Sequence, residues 1–397
     1  MQKTCKQAVV LAGGLGTRLR PLTDDRPKPM VLVRGRPFLE YLIELFREND
    51  IHDIVLLLGY MPKKIIDHFG SGERFGVKIE YSVGELDWET GTRIHNAKYM
   101  LADTFLLAYS DNYWPMQLGL MMDFYNRTGA AHMVTAYNNR DGRAEYGYEN
   151  NMRVADNGLV LNYDRLRKEP NLNTVDIGFF ILQKSIIELM PERDFSFELE
   201  IMPKIISSGA LFAYRTDHGY YPLTSSDSLN KLEKFFAPRK TIFLDRDGVI
   251  NQPIKGDYVR DWGQFKFLPG AISALRSLSE SGYEIFVITN QRGIGRGLMT
   301  EDDLNKIHER MVLELAQNSV SISKIYYCPH LARDNCFCRK PAPGMLYRAA
   351  NENLINLRKS IFIGDNESDL AAGTKVGCKT ILVRSESGLS DIVSSIL

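Results

Sequence analysis

The run Thr-Ile-Phe-Leu-Asp-Arg-Asp-Gly-Val-Ile-Asn at 241–251 constrains this chain more than any other stretch. Four residues of apolar, β-favouring character lead straight into two acids two positions apart, and then a glycine. That pattern predicts a buried strand whose C-terminal end presents Asp245 and Asp247 in a tight loop. Ligand sites in open α/β sheets lie at such strand ends. Two carboxylates there can hold Mg²⁺, and one can attack phosphorus while the other handles a proton. The competing reading is an ordinary strand-to-turn transition, because Asp and Gly suit turns.

A chain of 397 residues is too long for one core and about right for two domains. The joint is expected at 236/237. Residues 228–236 read as a short helix, Ala-Pro-Arg-Lys breaks it, and a new strand begins at Thr241. The domains are therefore 1–236 and 237–397. The fold class is α/β, each domain a mostly parallel sheet flanked by helices. Acidic and basic residues balance at 49 each, which argues against nucleic acid as a partner. No apolar run approaches the ~20 residues that span a bilayer, so no membrane partner is expected. The first residues carry no signal-peptide pattern, and a cytoplasmic location is expected. Composition leaves a homo-oligomer open.

The five cysteines are unevenly placed. Cys5 and Cys378 stand alone. Cys328-Pro-His330 is followed, after five residues, by Cys336-Phe-Cys338. Three sulfurs and an imidazole make a closed tetrahedral Zn²⁺ site, hence a structural one. It would pin the loop that delivers Arg339 and Lys340.

In the first half, residues 7–12 read as a strand ending in Gly13-Gly14-Leu15-Gly16-Thr17-Arg18-Leu19-Arg20-Pro21-Leu22-Thr23. Glycines let the backbone approach a nucleotide and point amides at its phosphates. Arg18, and Lys28 in Arg-Pro-Lys-Pro-Met, add fixed positive charge. Helices are expected at 37–49 and 63–69, and strands at 53–58, 78–82 and 105–109. The whole run, Gly-Gly-x-Gly-Thr-Arg-Leu-x-Pro-Leu-Thr followed by Pro-Lys-Pro-Met, resembles the signature of the sugar-nucleotide pyrophosphorylases, or nucleotidyltransferases. The resemblance implies a Rossmann-like nucleotidyltransferase fold of the GT-A type. It implies that a sugar 1-phosphate attacks the α-phosphorus of a nucleoside triphosphate and releases pyrophosphate. By resemblance, Leu11, Ala12, Gly13, Gly14, Gly16, Thr17, Glu85 and Gly91 meet the nucleotide. Arg18 and Lys28 serve the triphosphate, Asp111 holds Mg²⁺, and Lys168 is a candidate for the sugar phosphate.

Three departures from that family pattern stand out. Bulky Arg93 follows Gly91-Thr92, where small residues are usual. Pro222 occupies the place of a second metal-binding Asp, for which Asp217 and Asp227 are the nearby substitutes. The usual Glu-Lys-Pro run is Lys168-Glu169-Pro170.

In the second half, a strand at 283–289 ends in Thr289-Asn290-Gln291, Arg339-Lys340-Pro341 supplies positive charge, and a strand at 360–364 ends before Asp365 and Asp369. This set resembles the haloacid dehalogenase (HAD) superfamily of phosphatases over 240–397, without a large cap insertion. The resemblance makes Asp245 the nucleophile of an aspartyl-phosphate and Asp247 the acid and then base. Lys340 and Thr289 hold the transferring oxygens. Mg²⁺ is held by Asp245, the Asp247 carbonyl and Asp365, with Asp369 behind them or capping the next helix.

Within the superfamily, the zinc loop and the runs around Asp245, Asp257-Tyr258 and Thr289 resemble the D-glycero-D-manno-heptose 1,7-bisphosphate 7-phosphatases. The histidinol-phosphate phosphatases are their relatives and the alternative. Asn290, Gln291, Asp257, Tyr258, Arg296 and Arg339 are then the substrate-binding candidates, the two arginines for the distal 1-phosphate. Arg292 stands where that family commonly has Ser.

The two halves together imply a bifunctional enzyme that takes a heptose bisphosphate and a nucleoside triphosphate to an NDP-heptose, GDP-heptose first, for lipopolysaccharide or capsule. Mg²⁺ and structural Zn²⁺ are the implied cofactors. The other alternative is a phosphatase alone, with the first domain a binding or oligomerising module.

Overall fold

The computed structural model describes residues 2–384 and 388–397. Contacts divide the chain into two compact units, Met1–Phe236 and Ala237–Leu397.

The first unit is built on a seven-stranded sheet. Its strands in chain order are β1 (Gln7–Ala12), β2 (Asp53–Leu58), β3 (Lys78–Val83) and β4 (Thr104–Tyr109). A two-residue strand, β5 (Asn112–Tyr113), lies outside this sheet, and β6 (His132–Tyr137), β7 (Val175–Gln183) and β8 (Leu211–Thr216) complete it. The spatial order is β8-β6-β7-β4-β1-β2-β3. All neighbours are parallel except at β7, which is antiparallel to both β4 and β6. All six residues of β1 are buried, as a central strand covered on both faces requires.

Helix α1 (Phe38–Glu48) follows Pro37, whose fixed φ suits a helix entry, and buries Phe38, Leu39, Leu42 and Phe46. Helices α2 (Pro62–Phe69), α3 (Thr90–Asn96), α4 (Leu118–Thr128) and α5 (Ser226–Phe235) follow. A last short strand, β9 (Tyr221–Pro222), pairs with β5.

The pairing of β7 with β6 slips between Asp176 and Phe180, where Gly178 has φ 77°. An extra residue in one strand frees a side chain from the ladder and re-aims it. Here the slip begins just past Asp176, which itself still pairs with Ala136.

The second unit carries five parallel strands: β10 (Lys240–Leu244), β11 (Tyr283–Asn290), β12 (Ile322–Cys328), β13 (Ile361–Gly364) and β14 (Lys379–Leu382). Their order is β12-β11-β10-β13-β14. Alternation along β10 sends Ile242 and Leu244 into one core and Phe243 into the other. Helices α6 (Ala271–Glu280), α7 (Glu301–Gln317), α8 (Gly344–Asn353), α9 (Glu367–Lys375) and α10 (Leu389–Ile396) cover the faces. Thr300 and Asp303 cap α7 reciprocally, and three acids in its first turn favour the helix dipole.

Each sheet reverses its chain order beside its central strand, between β1 and β4 in one and between β10 and β13 in the other. Crevices open at the carboxyl ends of strands at such points. No helix among the described residues is long and apolar enough to cross a membrane.

Candidate active sites

In the second unit, Asp245 leaves the end of β10 with its N–H donating to Ile363 O on β13, 2.9 Å away. Its carboxylate pairs with Lys340 Nζ at 2.9 Å, and Lys340 also pairs with Asp369 at 2.7 Å. Lys340 is buried and donates to Ile288 O at 2.7 Å, so the cation is aimed from below. Burial raises the Asp245 carboxyl above its ordinary value, against the pull of Lys340. Burial acts to lower Lys340, but Asp245 and Asp369 outweigh it and hold the ammonium above its ordinary value.

Asp247 is held differently. Burial acts to raise its carboxyl, but the Arg246 guanidinium and donors from Asn251 and Gln291 keep it below the carboxylate range. Arg246 is fully buried and donates to both Asp247 oxygens at 2.9 Å. Its Nη1 meets His308 Nε2, on α7, at 3.1 Å. Burial and Arg246 push the His308 pKa down to about 3, so the ring is neutral and accepts.

No local pattern points to His308, and an arginine set between two acids just past a buried strand end is the available signal for Arg246.

Asp245, Asp365 and Asp369 offer carboxylate oxygens within 4.8 Å of one another. A Cβ on Gly248 would strike Asp365 and one on Gly364 would strike Asp369, so both glycines make room for the acid cluster. A compact set of hard oxygens with one cation suits Mg²⁺. Asp369 also caps α9, accepting from Asn366 N–H at 3.0 Å.

A cleft of ≈310 Å³ opens over this cluster, lined by Asp245, Asp247, Thr289, Asn290 and Lys340 and flanked by Asp257, Tyr258, Arg292 and Arg339. Two expected substrate residues lie elsewhere. Gln291 is buried and donates to Asp247 Oδ2 and Thr289 Oγ1, both at 2.8 Å, so it orients those groups from behind. Arg296 lies over the Tyr258 ring, 5.8 Å from its centroid, and does not line the cleft. Arg292 lines it instead, with Nε donating to the Tyr258 hydroxyl.

The Cys328, His330, Cys336 and Cys338 ligand atoms converge. Their Sγ atoms are 3.3–3.5 Å apart, and His330 Nδ1 is 3.2 Å from Cys338 and 3.6 Å from Cys328. Zn–S bonds of about 2.3 Å in a tetrahedron separate sulfurs by about 3.8 Å. The four residues fit Zn²⁺ with slight expansion. Arg339 Nη1 donates to His330 O at 3.4 Å, which ties the cluster to the cleft.

In the first unit, a cleft of ≈370 Å³ is lined by Leu11, Gly13, Gly14, Gly16, Thr17, Arg18, Lys28 and Asp111. Gly16 has φ 64°, and a Cβ there would meet Lys28 Cβ at 2.9 Å, so only glycine suits. Lys28 Nζ pairs with Asp111 at 2.5 Å. A second cavity of ≈280 Å³ shares Arg18, Tyr109 and Asp111 with the first, and adds Asn112, Asp176, Glu198 and Pro222. The two cavities therefore meet over Arg18 and Asp111.

Other expected residues do not line either cavity. Ala12 is buried in β1, and Gly91 faces the Phe195 ring, which leaves no room for a side chain. Glu85 contributes its carbonyl to Arg93 at 2.8 Å. Lys168 is exposed, while Arg165 and Arg167 reach the second cavity.

Pro222 pairs with Asn112, and Leu223 N–H donates to Asp111 O at 2.7 Å, so the proline does stand beside Asp111. Asp217 is tied to Asn138 at 2.8 Å and Asp227 to Lys231 at 2.9 Å, and neither lines these cavities. Asp111 is thus the carboxylate beside the proline. Mg²⁺ sites commonly use one carboxylate with substrate phosphates, so Asp111 fits that role.

Two crevices at sheet reversals, each lined by acids and fixed cations and the first also by glycines, define an α/β enzyme suited to phosphorylated ligands. The chain belongs to the nucleotidyl transferase family, whose model matches residues 7–273, and its second unit matches the HAD-hydrolase-like family over 337–394.

Among curated relatives, the D-glycero-alpha-D-manno-heptose-1,7-bisphosphate 7-phosphatase of Campylobacter jejuni is 43% identical over 147 residues, 37% of this chain and 83% of that protein. The D-glycero-beta-D-manno-heptose-1,7-bisphosphate 7-phosphatase of Haemophilus influenzae is 44% identical over 154 residues, 36% of this chain and 82% of that protein. Among solved structures, HddC from Yersinia pseudotuberculosis complexed with GMP-PN is 28% identical, with a TM-score of 0.50, covering 58% of this chain and 99% of that one. The protein is an enzyme that combines a nucleotidyltransferase unit with a phosphatase unit.

Proposed function

We propose that the chain performs two successive steps of NDP-heptose synthesis: removal of the 7-phosphate from D-glycero-D-manno-heptose 1,7-bisphosphate, then transfer of a nucleotidyl group to the heptose 1-phosphate. One observation carries this reading. A unit related to heptose-bisphosphate phosphatases would release a sugar 1-phosphate, and the other unit has two cavities that meet over Arg18 and Asp111. The GMP-PN complex of HddC supports GTP as the nucleotide and GDP-heptose as the product.

In the hydrolytic step, an Asp245 oxygen attacks the phosphorus of the 7-phosphate and the bond to the sugar oxygen breaks. Asp247 is ionised in the free cleft, and an arriving phosphate raises its carboxyl so that it takes up the proton it gives to the leaving oxygen. It then accepts a proton from the water that attacks the aspartyl-phosphate, and inorganic phosphate leaves. Lys340 and Thr289 hold the phosphoryl oxygens. Arg339 and Arg292, at the mouth of the cleft, suit the distal 1-phosphate. Asp245, Asp365 and the Asp247 carbonyl would hold Mg²⁺, whose charge would offset the repulsion between carboxylate and phosphate.

In the transfer step, a phosphate oxygen of the sugar 1-phosphate attacks the α-phosphorus in line, and pyrophosphate leaves. Arg18 borders both cavities and can neutralise charge on both reactants. Lys28 can exchange Asp111 for the triphosphate, and Asp111 would then be the carboxylate that holds Mg²⁺.

The direct experiment supplies each anomer of the bisphosphate with GTP, ATP, CTP or UTP and follows phosphate and pyrophosphate. Both are expected, with pyrophosphate greatest for GTP. Phosphate without pyrophosphate from any nucleotide would remove the transfer step.

A further inference from the structure

Arg93, on α3, is 6% exposed and lines the first cleft, yet among the described residues it forms no ion pair. Its guanidinium spends three hydrogen bonds on main-chain carbonyls. Nη1 donates to Leu58 O at 2.8 Å, and Nη2 donates to Glu85 O at 2.8 Å and Leu86 O at 3.2 Å. Leu58 ends β2, while Glu85 and Leu86 belong to the segment between β3 and α3 that walls the cleft with Leu86, Asp87 and Trp88.

The flat face of the same group lies against the phosphate-facing turn. A Cβ built on Gly13 would come within 2.5–2.6 Å of Arg93 Cζ, Nε and Nη1, and one on Gly59 within 2.6–2.7 Å of its two terminal nitrogens. One planar cation therefore touches the Gly13 turn, the end of β2 and the 85–86 segment together. Only a fork of this shape reaches so many acceptors from one point.

Resting on the nucleotidyltransferase reading of this cleft, we propose that Arg93 is a positioning residue for the nucleotide. It locks the 85–88 wall to the Gly13–Gly14 turn, so that base and phosphates are gripped in one fixed register. The grip acts on binding and on discrimination among bases, and leaves the phosphoryl chemistry at Arg18 and Lys28 alone.

The test uses the full chain. Binding of non-hydrolysable analogues of the four nucleoside triphosphates is measured by calorimetry, beside steady-state transfer. Arg93→Lys and Arg93→Met are expected to weaken binding of the preferred nucleotide about tenfold, to narrow its preference over the others about threefold, and to keep kcat within about threefold. Gly13→Ala should cost about tenfold in binding when Arg93 is present and clearly less in an Arg93→Ala background, because the nearest atoms its new methyl meets are those of the guanidinium.

Full binding by Arg93→Lys, a loss confined to kcat, or the same Gly13→Ala cost in both backgrounds overturns the inference. If Arg93→Met does not fold, the lysine variant and the Gly13→Ala pair decide. Wild-type protein that binds no nucleotide removes the nucleotidyltransferase reading, and this inference with it, and is told apart by the wild-type titration alone.

Discussion

At the scale of single residues, the cleft of the second unit places two neighbouring aspartates in different environments. Asp245 is desolvated and paired with Lys340, while Asp247 is surrounded by donors from Arg246, Asn251 and Gln291. Asp245→Asn is expected to lower bisphosphate hydrolysis by at least about 10³-fold, leaving transfer from supplied heptose 1-phosphate unchanged. Separate phosphate and pyrophosphate assays on one preparation check this. Gln291→Leu is nearly isosteric and should lower kcat for hydrolysis about ten- to a hundredfold with little change in KM, because it frees Asp247 and Thr289 without touching the cleft wall.

Asp245, Asp247, Thr289 and Lys340 were legible at this scale because acids, a hydroxyl and a lysine beside apolar strands have few other reasons to be there. Gln291 and Arg296 were misplaced because the run Thr-Asn-Gln-x-Gly-Ile-x-Arg-Gly shows polarity but not direction. One turn of chain sends Gln291 under the sheet and Arg296 behind Tyr258. Arg246 and His308 are paired across 62 positions, a distance that no local pattern spans.

At the scale of elements, adjacent strands β6 and β7 carry buried groups that respond oppositely to acid. Burial lowers the His132 pKa from 6.5 to about 4, and burial raises that of Asp176 from 3.8 to about 6. The unfolded chain protonates His132 more readily, so that contribution to stability is lost as pH falls from about 6.5 toward 4. The folded chain keeps the Asp176 proton longer, so that contribution is present in acid and is lost as pH rises from about 4 through 6. Each is on the order of 3 kcal/mol at most and they largely cancel. Wild-type stability to urea should therefore change little between pH 4.5 and 6.5, while the two single variants change in opposite directions. Relative to wild type, Asp176→Asn is stabilised by higher pH, and His132→Gln by lower pH.

The Cys328–Cys338 loop, whose four ligand atoms suit Zn²⁺, belongs to this scale as well. Stripping zinc, or Cys336→Ser, should lower hydrolysis at least about tenfold while transfer persists, read by metal analysis beside both assays.

The strands 7–12, 53–58 and 241 onward could be read because they are apolar runs with glycine or acid at their ends. Strands β6, β7 and β8 carry no clear period in the sequence. His132, Thr135, Asp176 and Gly178 interrupt their apolar pattern, and β7 runs against its neighbours with a slipped register. Asp176 and Gly178 are explained by the cavity they border rather than by any period in the sequence.

At the scale of the molecule, each unit has its own sheet and buried clusters. Truncating Phe243, fully buried beneath the second sheet, should cost about 3–5 kcal/mol and be felt by hydrolysis and by the melting of that unit. The joint could be read from Ala-Pro-Arg-Lys, where a helix stops and the strand rhythm restarts. What composition could not convey is that both sheets reverse their order beside the central strand, which is why both crevices lie at strand ends. That depends on how distant strands are neighboured, and a linear pattern carries no record of it.

The cluster of three thiolates and one imidazole has a further consequence. Sulfur held this way is a target for peroxide, which ejects the metal as it oxidises the ligands. Of the two proposed reactions, only hydrolysis would depend on that cluster. Under oxidant the early step should fail first, and the doubly phosphorylated sugar should accumulate while the enzyme still consumes any singly phosphorylated sugar it meets.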